Sequence, residues 1–172
     1  MRTHIQSFIA ITFWLAGGSI LPAQQLECSL VIPQSNPQGQ RELDMSRYKS
    51  FHVVLRNISS TPVKIWKDWN SWGYYNLSLS FSNADTSFTI SKKSPTNWDG
   101  DFADYWTVPV GESLVLDIDM RAGLWKGLPD LYGETLTGKI QATYENKPDA
   151  LAAEFGIWTG KLTTASLPVI FK

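Results

Sequence analysis

The sequence predicts an all-β fold: two antiparallel sheets of about eight strands packed face to face, with one short helix before the last strand. Three observations carry this expectation. Apolar and polar residues alternate with a period of two along almost the whole chain beyond residue 25. Turn-forming residues punctuate the alternation. The strands carry only one apolar face, which suits antiparallel pairing, because parallel strands are buried on both faces.

The strands are read in order. Leu26, Cys28, Leu30 and Ile32 alternate with Glu27 and Ser29, and Phe51, Val53 and Leu55 alternate with His52 and Arg56. Val63 and Ile65 flank Lys64; Leu77, Leu79 and Phe81 are separated by Ser78 and Ser80; Phe88 and Ile90 flank Thr89. Leu114, Leu116, Ile118 and Met120 form the next strand, Ile140, Ala142 and Tyr144 another, and Leu167, Val169 and Phe171 the last. Between them, 57–62 and 82–85 are expected to close hairpins and 108–112 to be a turn. A helix of about two turns is expected with Pro148 in its first turn, Asp149 near its positive end and Gly156 as its stop. Two long stretches, 67–76 and 91–107, are expected to project as loops, where binding residues on rigid scaffolds tend to sit.

Length and charge set the class. At 172 residues the chain suits one domain, here 24–172. Fifteen Lys and Arg against 16 Asp and Glu, for a net charge of −1, give no basic stripe for a nucleic acid. Residues 1–23 read as a secretory signal peptide. Arg2 supplies positive charge, Ile5 to Leu15 an apolar run too short to span a bilayer, and Ala23 a small residue for cleavage. The protein is therefore expected to be exported, to a periplasm or beyond the cell, with no transmembrane segment. Cys28 is the single cysteine, so no internal disulfide can staple the fold. Glu27 before it argues against lipid attachment, and its apolar parity predicts a buried small hydrophobe.

The run Phe-His-Val-Val-Leu-Arg-Asn-Ile-Ser at 51–59 resembles a strand and turn of secreted bacterial immunoglobulin-like domains. So does Val-Pro-Val-Gly-Glu-Ser at 108–113, and 138–144 followed by Gly156-Ile-Trp-Thr-Gly160 is similar to their closing segment. The resemblance covers most of residues 50–172. It implies an immunoglobulin-like β-sandwich serving as an adhesion, carbohydrate-binding, inhibitor or architectural module. The Cys–Trp–Cys signature of antibody domains is missing.

Aromatic residues are the outlier in composition, with 8 Trp, 8 Phe and 6 Tyr. In Trp66-Lys-Asp68-Trp69-Asn70-Ser-Trp72-Gly-Tyr74-Tyr75 five rings fall within ten residues. Rings at Trp69, Trp72, Tyr74 and Tyr75 could stack on the C–H face of a sugar while Asp68 and Asn70 bond its hydroxyls. The competing reading is that the rings cap the core from one end, Trp66 among them. A second segment brings Trp98, Asp99, Asp101 and Asp104 as a further candidate surface, with Phe102 and Trp106 extending its aromatic face. Its carboxylates lack the spacing of a calcium loop, so no metal or cofactor is expected. Catalysis is not expected either. The two histidines are His4, within the signal, and His52, on the polar parity of a strand, and no phosphate-binding or dinucleotide motif occurs. The function expected is a non-catalytic exported binding module for a carbohydrate or a cell-envelope protein. The alternative is a protease-inhibitor-like or structural accessory domain.

Overall fold

The period-two segments become strands at all eight expected places. The structure, a computed structural model, describes residues 24–33, 36–43, 50–95, 98, 101–120, 123–131 and 133–172. The expected signal peptide, 1–23, lies outside the described residues, as does Asp99. In chain order the elements are β1 (Leu26–Val31), β2 (Glu42–Leu43), β3 (Ser50–Asn57), β4 (Val63–Trp66), β5 (Leu77–Ser82), β6 (Ser87–Lys92), β7 (Tyr105–Val108), β8 (Ser113–Asp119), β9 (Trp125–Lys126), β10 (Leu136–Asn146), α1 (Ala150–Phe155), β11 (Gly160–Thr163) and β12 (Leu167–Phe171). The fold is all-β, with twelve strands among the described residues rather than about eight. The additions are β2 and β9, too short to show alternation, β7, which lies in a stretch expected to be loop, and β11, which opens on a glycine.

Three sheets form. One has the order β1-β3-β8; a larger one has the order β2-β12-β10-β5-β6-β9, with β11 beside β10; a third pairs β4 with β7. Leu30, Val53, Leu55, Leu116 and Ile118 from the first meet Leu79, Phe81, Ile90, Ile140, Val169 and Phe171 from the second in one apolar cluster. Burial of that inner face is the main driving force for the fold. Among the described residues the ladders between strands are antiparallel except that β2 lies parallel to β12, through Ile170 N to Arg41 O and Lys172 N to Leu43 O.

The segment 57–62 is not the hairpin turn expected. β3 pairs with β1 and β8, whereas β4 pairs with β7, so the β3–β8 ladder runs on into β4–β7 across an irregular step. Buried Asn57 holds the step together, its amide donating to Thr61 O and Val108 O while its Oδ1 accepts from Ser59 N. At 82–85 a true hairpin joins β5 to β6.

β11 and β12 lie along the same side of β10 with registers one residue apart: Thr143 faces Thr163, but Ile140 faces Leu167. The extra residue makes a β-bulge, which switches the inward parity from Leu162 to Val169 and Phe171. Thr164 fills the break, its N–H donating to Ala142 O and its Oγ1 accepting from Ala142 N at 3.0 Å.

The helix sits between β10 and β11, ahead of the last two strands. Asp149 is its N-cap, accepting from Ala152 N at 2.7 Å, so Pro148 falls outside the first turn instead of within it. Gly156 ends the helix at φ 64°, a left-handed value that favours glycine. No helix among the described residues is long and apolar enough to cross a membrane.

Candidate functional site

Both aromatic segments start from the β4–β7 pair, which brings them side by side. Trp66 ends β4 opposite Tyr105, which begins β7. Beyond that pair Lys67 N donates to Asp104 O at 3.1 Å, and the chains continue as two loops that remain bonded to each other. Whether these loops meet is not legible in the sequence. In the fold they do.

Asn70 is the pin. It is fully buried, its Nδ2 donates to Asp104 O at 2.8 Å, and its Oδ1 accepts from Gly73 N at 2.9 Å. Tyr74 N returns to Asn70 O at 2.9 Å, winding residues 70–74 into a helical turn. Gly73 is required there, because a Cβ would stand 2.1 Å from Lys67 O. The second loop reciprocates: Asp101 accepts from Ser71 N at 3.0 Å, and Asp104 takes the Lys67 ammonium at 2.6 Å. That hydrogen bond from Lys67, joined by the Tyr105 N–H, holds the Asp104 carboxyl below its ordinary value against a smaller opposing effect of burial.

The rings divide between interior and surface. Trp66, 1% exposed, packs with Ala152 and Ile157 in a minor core under α1. Trp72 joins it, 5.8 Å from Trp66 between ring centres and half-buried. Trp106 faces Ile65 in the β4–β7 ladder and packs on the main core. Of the expected contact residues, Asn70 and Trp72 are thus structural: one ties the loops together and the other closes the minor core.

Trp69 and Tyr75 remain at the surface, 46% and 48% exposed, and Phe102 is more open at 60%. Trp69 and Phe102 bridge the two loops edge to face with centres 5.2 Å apart, and the Lys67 ammonium lies 5.7 Å from the Trp69 ring. Tyr74, Tyr75 and Trp98 form a second cluster, with Trp98 5.2 Å from Tyr74 and 6.2 Å from Tyr75. The Tyr75 hydroxyl donates to Ser94 Oγ at 3.0 Å. Lys92 stands over both Tyr74 and Trp125, and burial lowers the pKa of its ammonium while the carboxylates of Asp68 and Asp119 oppose the shift. Burial also raises the Tyr74 hydroxyl, with Tyr75 adding to it. Asp68 itself is exposed.

Phe102 and Lys67 take a larger part than their sequence suggests. A Phe flanked by acids reads as a turn residue, and Lys67 and Asp104 are separated by 37 positions, which no spacing rule connects.

Two other sites bear on chemistry. His52 Nδ1 lies 2.7 Å from Asp117 Oδ1 across the β3–β8 ladder, with Val31 on its other side. Among the described residues no group of three or more His, Cys, Asp or Glu is placed to hold a metal ion. Cys28 is half-buried rather than fully enclosed, in a groove of about 790 Å³ between β1 and β11, and burial pushes its thiol up to about 11. No protein-family model matches the chain, and no curated protein matches it.

Proposed function

We propose that this is a non-catalytic, exported protein-binding module on an immunoglobulin-like sandwich, with Trp69 and Phe102 at the centre of its contact surface and Tyr74, Tyr75 and Trp98 beside them. One observation carries the reading. Two loops are locked together by five hydrogen bonds among the described residues, yet the rings at their junction stay open to water. Exposed aromatics on a rigid base match the anchors that dominate protein interfaces, since little conformational entropy is lost on docking.

A protein fits better than a sugar. Sugar sites need polar groups aimed outward beside the stacking ring. Here Asn70 is buried, Asp101 is bonded to Ser71 and Asp104 to Lys67, which leaves Asp68 as the open polar group among those expected in the described loops. The rings also meet edge to face instead of presenting one flat platform. The sandwich reading rests on the cluster shared by the two larger sheets. The non-catalytic reading rests on His52, the sole histidine after the expected signal, being engaged with Asp117 and flanked by Val31.

The test is quantitative capture of envelope proteins from the native host, with the wild type compared against Trp69→Ala/Phe102→Ala in the presence of excess soluble glycans. The wild type should retain a partner that the double variant loses by about tenfold or more, as expected for central aromatic anchors. Glycans should not compete. Equal recovery by the two proteins, with the variant still folded, would overturn the assignment.

A further inference from the structure

The groove between β1 and β11 belongs to neither aromatic loop. Its volume of about 790 Å³ lies within the range of about 300–1,000 Å³ typical of small-molecule sites. Trp158 stands in its wall, and the fold fixes that residue from both sides. Its N–H donates to Lys64 O at 2.9 Å, and its C=O accepts from Asn146 Nδ2 at 2.6 Å. The ring packs on the main core beside buried Tyr144, with ring centres 6.2 Å apart, yet it stays half-buried. Gly160 makes room for it, since a Cβ there would stand 2.8 Å from Trp158 Cζ2. The indole N–H has no hydrogen-bond partner among the described residues. Nor do the exposed side chains of Gln25, Thr159 and Thr163, which line the same groove.

We infer that this groove is a binding site for a neutral carbohydrate. The ligand class follows from what the lining leaves unspent. An indole face takes the C–H face of a pyranose, while its N–H, two threonine hydroxyls and a glutamine amide meet the sugar hydroxyls. At the loop junction the corresponding groups of Asn70, Asp101 and Asp104 are already bonded within the fold. Here they stand beside a ring and are open. A purely apolar ligand would bury them without partners, which is unfavourable. Charge sets the neutral character. Glu27 and Lys161 line the groove with opposite signs, and Lys161 already meets Glu145 at 3.5 Å, so neither an anion nor a cation is preferred. The groove shares no residue with the loops at 67–76 and 98–104, so the inference goes beyond the proposed function and is tested apart from it.

Calorimetric titration of the purified protein with neutral oligosaccharides of glucose, N-acetylglucosamine, xylose and mannose is the experiment. At least one should bind with a Kd below about 10 mM. Trp158→Ala should weaken that binding by about tenfold or more, as loss of a stacking ring requires. Gln25→Ala/Thr163→Ala alters only exposed side chains, so it should keep the wild-type unfolding midpoint and still bind the sugar more weakly. Trp69→Ala/Phe102→Ala should bind the sugar as the wild type does. The inference is overturned if none of the four sugars binds at about 10 mM. It is overturned equally if folded Trp158→Ala or Gln25→Ala/Thr163→Ala binds with wild-type affinity, or if the loop variant loses the sugar.

Discussion

Replacing Asn70 by Ala tests whether the aromatic surface is held by the buried amide. Two hydrogen bonds are lost, but they are not equivalent. Gly73 N–H is buried and donates to Asn70 Oδ1, so it is left without that partner, at a cost of about 1–3 kcal/mol. Asp104 C=O keeps Lys67 N–H as a donor at 3.1 Å, so losing Asn70 Nδ2 removes only the net worth of one bond, about 0.5–1.5 kcal/mol. The expected destabilisation is about 1.5–4.5 kcal/mol, read from the midpoint of urea unfolding followed by tryptophan fluorescence. Trp69→Ala is the control: its ring is 46% exposed, so its removal should cost no more than about 1.5 kcal/mol, the value of an aromatic pair. If Asn70→Ala unfolds within experimental error of the wild type, the loops are not pinned as described, and the rigid base of the proposed contact surface goes with them.

Asp104 makes stability depend on pH in a defined direction. Its folded pKa is depressed, so the stabilisation is fully present above the unfolded carboxyl value of about 3.9 and is lost as pH falls through the lower folded value. Thermal midpoints should drop more steeply below that pH for wild type than for Lys67→Met; parallel curves would refute the Lys67 contribution. The Cys28 thiol, pushed up to about 11, should resist alkylation at neutral pH in the folded protein and react progressively as pH approaches that value. Rapid stoichiometric labelling at neutral pH, followed by mass spectrometry, would contradict its burial. Thr164→Val should cost about 1–3 kcal/mol by orphaning the buried Ala142 N–H, while Thr164→Ser keeps the acceptor and most of the stability. Equal unfolding midpoints for the two variants would exclude that role for the hydroxyl.

The strands were legible because inward and outward positions differ in chemistry at every second residue. Leu77, Leu79 and Phe81 are buried and Ser80 exposed, and hydrophobic burial enforces such a pattern wherever a strand has one wet face. The pattern says nothing about which strand lies next to which. The segment 57–62 carries turn residues, yet β4 leaves its predecessor to pair with β7, because Asn57 bonds to Val108 from 51 positions away. The parity switch at Thr164 was hidden for a related reason. A bulge adds one residue without any special composition, and only the register against β10 reveals it.

The fate of the aromatic segment turned on partners that lie far off in the chain. Trp66 is buried and Trp72 half-buried because both pack in the minor core closed by α1, where Phe155 stands 5.8 Å from the Trp66 ring. Trp69, three positions from each, points to the other side of the same turn and meets Phe102 instead. A short helical turn pinned at its first residue, Asn70, sends the rings before and after it in different directions, so the segment is neither wholly buried nor wholly exposed. The division between capping the core and facing solvent runs through it, residue by residue. Asn70, at its middle, lies on the buried side because its amide supplies the acceptor for the buried Gly73 N–H and a second donor to Asp104 O.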